Sequence, residues 1–215
     1  MQEESQNKVR RQLKDEIDGL NLEVDNLREK LLENNAVIRD LRARVVRSEG
    51  NSLEALRRSN RNEQYSRKTN VKVCGVRESD DENTLEVVKQ VLDEKAGVKI
   101  SDSDVIAVHR IPSKKRTEPK PILLKVKNSE IKSRIMRKRS DVKKKGGNVR
   151  LVDDVTERNI ILINRLNSHP QIESAYYYNG SVYGISAGKR YRFDIEEDVD
   201  SKLKSGKGRP VQLRK

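Results

Sequence analysis

Between Leu13 and Val45 the apolar residues recur in alternating steps of four and three, at Leu13, Ile17, Leu20, Val24, Leu27, Leu31, Ile38, Leu41 and Val45, with the amide Asn34 filling one beat. In heptad terms, a carries Ile17, Val24, Leu31, Ile38 and Val45, and d carries Leu13, Leu20, Leu27, Asn34 and Leu41. A mean period of 3.5 kept over this length predicts helices wound left-handed around one another. A lone amphipathic helix on a globular body wants a wider stripe, with a further apolar row at e or g. Those rows read Glu16, Glu23, Lys30 and Arg44 at g, and Lys14, Arg28 and Arg42 at e. The pattern therefore predicts an oligomer built on this rod. β-branched residues at a with Leu at d lean towards two strands, while Asn34 either sets register and strand number or is a solvated defect.

After Val45 the seam decays through Ser48, Gly50-Asn51 and Ser52, and a junction is expected near Asn62. From Thr69 the period shortens. Val71, Val73 and Val76 suggest a strand; Asn83-Thr84 opens a helix carrying Leu85, Val88, Val91 and Leu92 that Gly97 ends. Val105 to Val108 and Ile122 to Val126 read as strands around a basic, proline-bounded loop from Ser113 to Lys120. Asn128-Ser129-Glu130 caps a second helix through Ile131, Ile135 and Met136, stopped by Gly146-Gly147, and Val149 to Val152 offers a fourth strand. The order βαββαβ is a split ferredoxin-like layout.

Next, Asp153 or Asp154 caps a helix through Ile160 to Leu166 that His169-Pro170 closes. Asn179-Gly180 between Tyr176-Tyr177-Tyr178 and Val182-Tyr183 is a strong hairpin signal, and Arg190-Tyr191-Arg192-Phe193 reads as a further strand. Acidic residues from Glu196 to Asp200 open a short last helix. The fold class is α+β: a coiled-coil helix at 1–64, a ferredoxin-like domain at 65–147, a small α+β domain at 148–204 and a disordered basic tail at 205–215.

Composition narrows the function. The 215 residues are 38% charged with no Trp and one Cys, Cys74, which excludes an internal disulfide and any multi-cysteine zinc module. No apolar run approaches a membrane span and Met1 to Ser5 has no signal-peptide core, so a soluble, intracellular protein without membrane contact is expected. The net charge of +13 is unevenly placed: residues 1–64 hold 13 basic and 13 acidic groups, residues 65–147 hold 22 and 12, and residues 148–215 hold 12 and 9. An excess concentrated beside a neutral rod points to a polyanion.

Several strings resemble the first-open-reading-frame protein of LINE-type retrotransposons: Tyr65-Ser66-Arg67-Lys68-Thr69-Asn70 with Gly75-Val76, His109-Arg110, Pro119-Lys120-Pro121-Ile122, Asp153-Asp154-Val155-Thr156, and Lys189-Arg190-Tyr191-Arg192-Phe193. The C-terminal part also resembles the baculovirus few-polyhedra protein. The retrotransposon resemblance implies a coiled-coil homotrimer with an RNA-recognition-motif (RRM-like) domain and a C-terminal domain, coating its own transcript in a cytoplasmic ribonucleoprotein and chaperoning strands. Trimer and dimer both stay open. A standard RNA-recognition motif stacks bases on aromatics of its first and third strands. Here those strands have none, so recognition should rest on phosphates and tolerate sequence.

The phosphate candidates are Arg67, Lys68, Arg110, Lys114, Lys115, Arg116, Lys120, Arg134, Arg137, Lys138 and Arg139. The competing assignment for Arg137-Lys138-Arg139 with Lys143-Lys144-Lys145 is a solvated face or a nuclear-import signal. In the C-terminal domain Lys189, Arg190 and Arg192 are interleaved with aromatics, some alternate ones of which must form the core, while Tyr177 and Tyr183 are taken as base-stacking. Gly208-Arg209-Pro210 is taken as tail charge rather than a minor-groove hook. His109 and His169 stand apart from any Cys/His/carboxylate cluster, and no phosphate loop or nucleophile motif occurs. No metal, cofactor, small-molecule substrate or enzyme activity is expected. The partners are RNA, single-stranded DNA and further copies of the chain; the alternative is a coiled-coil scaffold for protein partners.

Overall fold

A computed structural model describes residues 2–112, 119–145 and 147–211. The chain divides into two compact units, Met1–Ala55 and Leu56–Lys215. Helix α1 covers Gln2–Ser66 and passes through Gly50-Asn51 without a break. A helical glycine costs only about 1 kcal/mol, too little to interrupt a long helix. The expected junction near Asn62 moves to Ser66 because Asn60 and Gln64 are buried in the second unit.

Along the first unit, Leu13, Ile17, Leu20, Val24, Leu27, Leu31, Ile38, Leu41 and Val45 are all exposed, from 43% at Val24 to 62% at Leu31. A continuous apolar stripe of this kind, left in water, is unfavourable at about 25 cal/mol per Å².

In the second unit β1 (Asn70–Cys74), β2 (Val105–Arg110), β3 (Ile122–Val126) and β4 (Arg150–Asp153) form one antiparallel sheet in the order β2-β3-β1-β4. Helix α2 (Thr84–Val91), extended by a π turn at Leu92–Ala96, α3 (Ser129–Arg137) and α4 (Arg139–Lys144) complete the βαββαβ order. Asn83 and Asn128 cap α2 and α3 with their side-chain carbonyls, and Gly97 ends the first helical segment at φ 63°. The second helix, expected to be continuous, breaks at Lys138. The break lets α3 pack on β1 and β3 while α4 packs on β4 and the π turn. Val71, Val73, Ile122, Leu124 and Leu151 point into the core with Val88, Leu92, Ile135 and Val142.

β4 pairs along β1, with Val73 opposite Leu151, so the first sheet runs on to Asp153. Gly75, at φ 79°, leads out of β1; a Cβ there would come within 1.9 Å of the Asn148 carbonyl oxygen, so only glycine lets the two segments approach.

The C-terminal portion packs α5 (Glu157–Asn167) and α6 (Val199–Lys204) on a second sheet in the order β5-β6-β7-β8. Its strands are β5 (Ser174–Tyr178), β6 (Ser181–Ser186), β7 (Lys189–Phe193) and β8 (Arg209–Pro210). Asn179 and Gly180 both adopt positive φ, as a tight hairpin turn requires. Thr156, rather than Asp153 or Asp154, caps α5, because β4 and its exit hold both aspartates. The tail expected to be disordered is ordered through Val211: Arg209 pairs with Arg190, and Gly208 lies flat on the Tyr191 ring. The exposed edge of β7 supplies the backbone groups that order it.

Candidate nucleic-acid interface

A cleft of about 770 Å³ opens where α3 and α4 of the ferredoxin-like domain face the β5–β6 hairpin. Its walls carry Lys68, Lys132, Arg137 and Arg139 against one carboxylate, Asp153. Lys132 is largely neutralised, with Nζ 2.7 Å from an Asp153 carboxylate oxygen and donating to the Lys68 carbonyl at 3.0 Å. None of Lys68, Arg137 and Arg139 meets a carboxylate within ion-pair distance among the described residues. Three unneutralised cations therefore face the cleft, with the hydroxyls of Ser129, Ser133 and Ser140 between them. Helix geometry explains most of the set: residues 129, 132, 133, 136 and 137 recur at three- and four-residue steps and share a face of α3, while Ile131 and Ile135 turn to the core.

A buried polar network ties the last turns of α1 to the segment after β4 and to α5. Gln64, 1% exposed, donates from Nε2 to the Asp154 carbonyl at 3.0 Å, and its Oε1 accepts from the Thr156 amide at 3.0 Å and from Asn159 Nδ2 at 2.9 Å. Asn60 donates to Asn159 at 3.0 Å and accepts from the Thr156 hydroxyl at 2.8 Å. The Asp154 carboxylate receives Asn70 at 2.9 Å, Lys72 at 2.6 Å and Arg67 at 3.1 Å. Burial pushes the acidity of Asp154 down, but the hydrogen bonds from Lys72 and Asn70 and the charges of Lys72 and Arg67 outweigh it and hold the carboxyl below its ordinary range. Two of the strings behind the retrotransposon resemblance, Tyr65 to Asn70 and Asp153 to Thr156, thus meet in space. Gln64 and Asn60 lie four apart on a helix otherwise read as solvated, and their amide character was the only sequence sign of this network.

The remaining candidates separate. Arg110 uses all five N–H groups inside the fold: two reach Glu82 at 2.6 and 2.7 Å, and the others reach the carbonyls of Val76, Arg77 and Lys120. It bolts the segment after β1 to the base of the basic loop and has no donor left for a phosphate. Its hydrogen bonds also lower the pKa of Glu82. Arg67 is held between Glu63 and Asp154. Lys120 pairs with Glu78 at 3.4 Å and Lys138 with Asp141 at 3.5 Å, while Arg134 donates to the Lys99 carbonyl, away from the cleft. Lys114, Lys115 and Arg116 lie outside the described residues.

No family model matches this chain, and no curated protein matches it.

The two chosen tyrosines fall on opposite faces of the second sheet. Tyr177 lies across from Val182 and Phe193 on the core side, half-buried at the cleft wall, and burial with the nearby charge of Asp153 pushes its phenol up to about 12. It stays neutral at physiological pH. Tyr178, 57% exposed and lining the cleft, is the better placed ring; its alternation with Tyr177 was the available signal. Tyr183 lies on the outer face with Arg190 and Arg192, and Lys189 is exposed at the start of β7. On the ferredoxin-like sheet, the face away from α2 and α3 presents Lys72, Leu123, Lys125 and Val152 with the exposed imidazole of His109, and no Phe, Tyr or Trp. Among the described residues no group of three His, Cys, Asp or Glu could hold a metal, and no helix is long and apolar enough to cross a membrane.

Proposed function

We propose that this chain is a self-assembling, largely sequence-independent binder of RNA and single-stranded DNA, of the kind the LINE-type resemblance implies. The observation that carries the reading is the cleft, where Lys68, Arg137 and Arg139 stand unneutralised beside the exposed ring of Tyr178. Cations with no carboxylate partner among the described residues suit phosphates, and a ring at their margin suits an unstacked base. Copies gathered by the apolar seam of α1, as a dimer or trimer, bind one strand multivalently, so weak exchangeable grips add up to high avidity. That exchange is the physical basis of a chaperone that lets strands rearrange within a ribonucleoprotein. The test is fluorescence anisotropy with a generic strand of about 30 nucleotides across a salt series. Affinity should fall steeply as salt rises, and an absence of binding at low salt would overturn the reading. A second reading, a coiled-coil scaffold for protein partners, is favoured by Leu22, Leu32 and Val46, which are exposed and lie off the a/d seam. In that case partners recovered with the chain would survive nuclease treatment.

A further inference from the structure

The C-terminal sheet has two unlike faces. Val182, Tyr191 and Phe193 close the second core with Leu162 and Leu166 of α5 and Val199 of α6. The two helices that pack on this sheet therefore both serve that one side. On the other side Tyr176, Tyr183 and Arg192 lie directly across β5, β6 and β7 from one another, with Arg190 two residues along. The rings of Tyr176 and Tyr183 are stacked, with centroids 6.0 Å apart and planes 28° from parallel. The Arg190 guanidinium lies 4.9 Å over the Tyr183 ring. No carboxylate sits within ion-pair distance of Lys189, Arg190 or Arg192 among the described residues.

A ring pair layered with a guanidinium and bordered by unneutralised cations has the makings of a surface for flat, anionic polymers. Phosphates alone would need only the cations, as the cleft already provides. An acidic peptide would also need only the cations. The paired rings add something that only unpaired bases can use, because in a duplex the base faces are already stacked. The outer face of the ferredoxin-like sheet, which would ordinarily do this work, offers Lys72, Leu123 and Lys125 with the lone imidazole of His109 and no ring pair among the described residues.

We propose that the outer face of the C-terminal sheet is a base-stacking site for single strands, with unpaired bases layered on Tyr176 and Tyr183 and the adjoining phosphates met by Arg190 and Arg192. The site is separate from the cleft and rests on the reading of the chain as a nucleic-acid binder. Its consequence is selectivity: the cleft accepts any polyphosphate, while this face rewards a strand whose bases are unpaired.

The experiment uses the full chain and two strands of about 30 nucleotides, oligouridine and an abasic strand with the same number of phosphates, measured by anisotropy at one salt concentration. The native protein should bind oligouridine at least about tenfold more tightly, the weight of one stacked base. Tyr176→Leu with Tyr183→Leu should remove that preference and leave the abasic affinity unchanged, whereas Tyr183→Phe should keep it. Equal binding of the two strands by the native protein would overturn the proposal, and so would a leucine variant that retains the preference. Displacement by polyglutamate that outdoes the abasic strand at equal charge would assign the face to an acidic protein and overturn it as well. The comparison within the native protein decides the matter if the double variant does not fold. Failure to bind either strand would instead sink the proposed function itself.

Discussion

Replacing Gln64 by leucine removes three hydrogen bonds at once with almost no change in volume. The side chain is 1% exposed, and its loss strands the Asp154 carbonyl, the Thr156 amide and one N–H of Asn159. Each buried group left without a partner costs about 1–3 kcal/mol. Three of them sum to about 3–9 kcal/mol, but relaxation and water entry recover part, so about 3–5 kcal/mol is expected. Gln64→Ala adds a cavity and should cost more than the leucine variant. The assay is urea unfolding of the full chain followed by tyrosine fluorescence, whose six rings all lie in the second unit with Gln64. With a urea dependence of about 2–3 kcal/mol/M, the midpoint should fall by about 1–2 M. A fall below about 0.3 M would show that the amide network contributes little to the stability of the second unit, and the account of the network would fail.

Arg110→Gln should destabilise the second unit by about 3 kcal/mol, the lower end for breaking a shielded ion pair, while leaving the salt dependence of strand binding unchanged; a shallower slope would show that Arg110 grips phosphate after all. If the seam assembles the chain as proposed, charged residues in place of Leu20 and Leu27 should give a monomer by light scattering and weaken strand binding severalfold; an unchanged assembly would place self-association elsewhere. Asp154 is held below its ordinary pKa in the folded chain, so its stabilising contribution is present above the unfolded value near 3.8 and is lost as pH falls through the lower folded value. Asp154→Asn should therefore flatten the acid limb of a plot of urea midpoint against pH, and an identical limb would contradict the assignment.

How far the fold could be read ahead of the structure depended on how local each signal was. Asn83, Asn128 and Asn179-Gly180 act on backbone groups within three residues of themselves, and the helices and hairpin they mark stand where expected. The heptad stripe lies on one helix and is equally local, and the helix stands where it was expected. Arg110 shows the opposite case. Its partner Glu82 is 28 residues away, so a cation that spacing groups with the basic loop is occupied inside the fold. Thr156 displaced the aspartates as cap because β4 extends to Asp153 and Asp154 turns to Lys72. The face of each tyrosine followed from register with Val182 and Phe193, which only the paired strands settle. The tail became a strand because β7 has an edge to offer, a fact of topology rather than of residues 205–211.

The central claim is that the cleft cations grip phosphate, and a charge-matched pair of variants tests it. One protein carries glutamine at Lys68, Arg137 and Arg139; the other carries it at Arg134, Lys138 and Lys143, which do not line the cleft. Both lose the same formal charge, and each is titrated with a generic single strand across salt. The slope of log affinity against log salt changes by about 0.7 per phosphate contact, so losing three should make the first protein's slope shallower by about 2 per bound copy, with little change in the second. Equal slopes for the two variants would mean that position does not matter, and the cleft would not be the binding site.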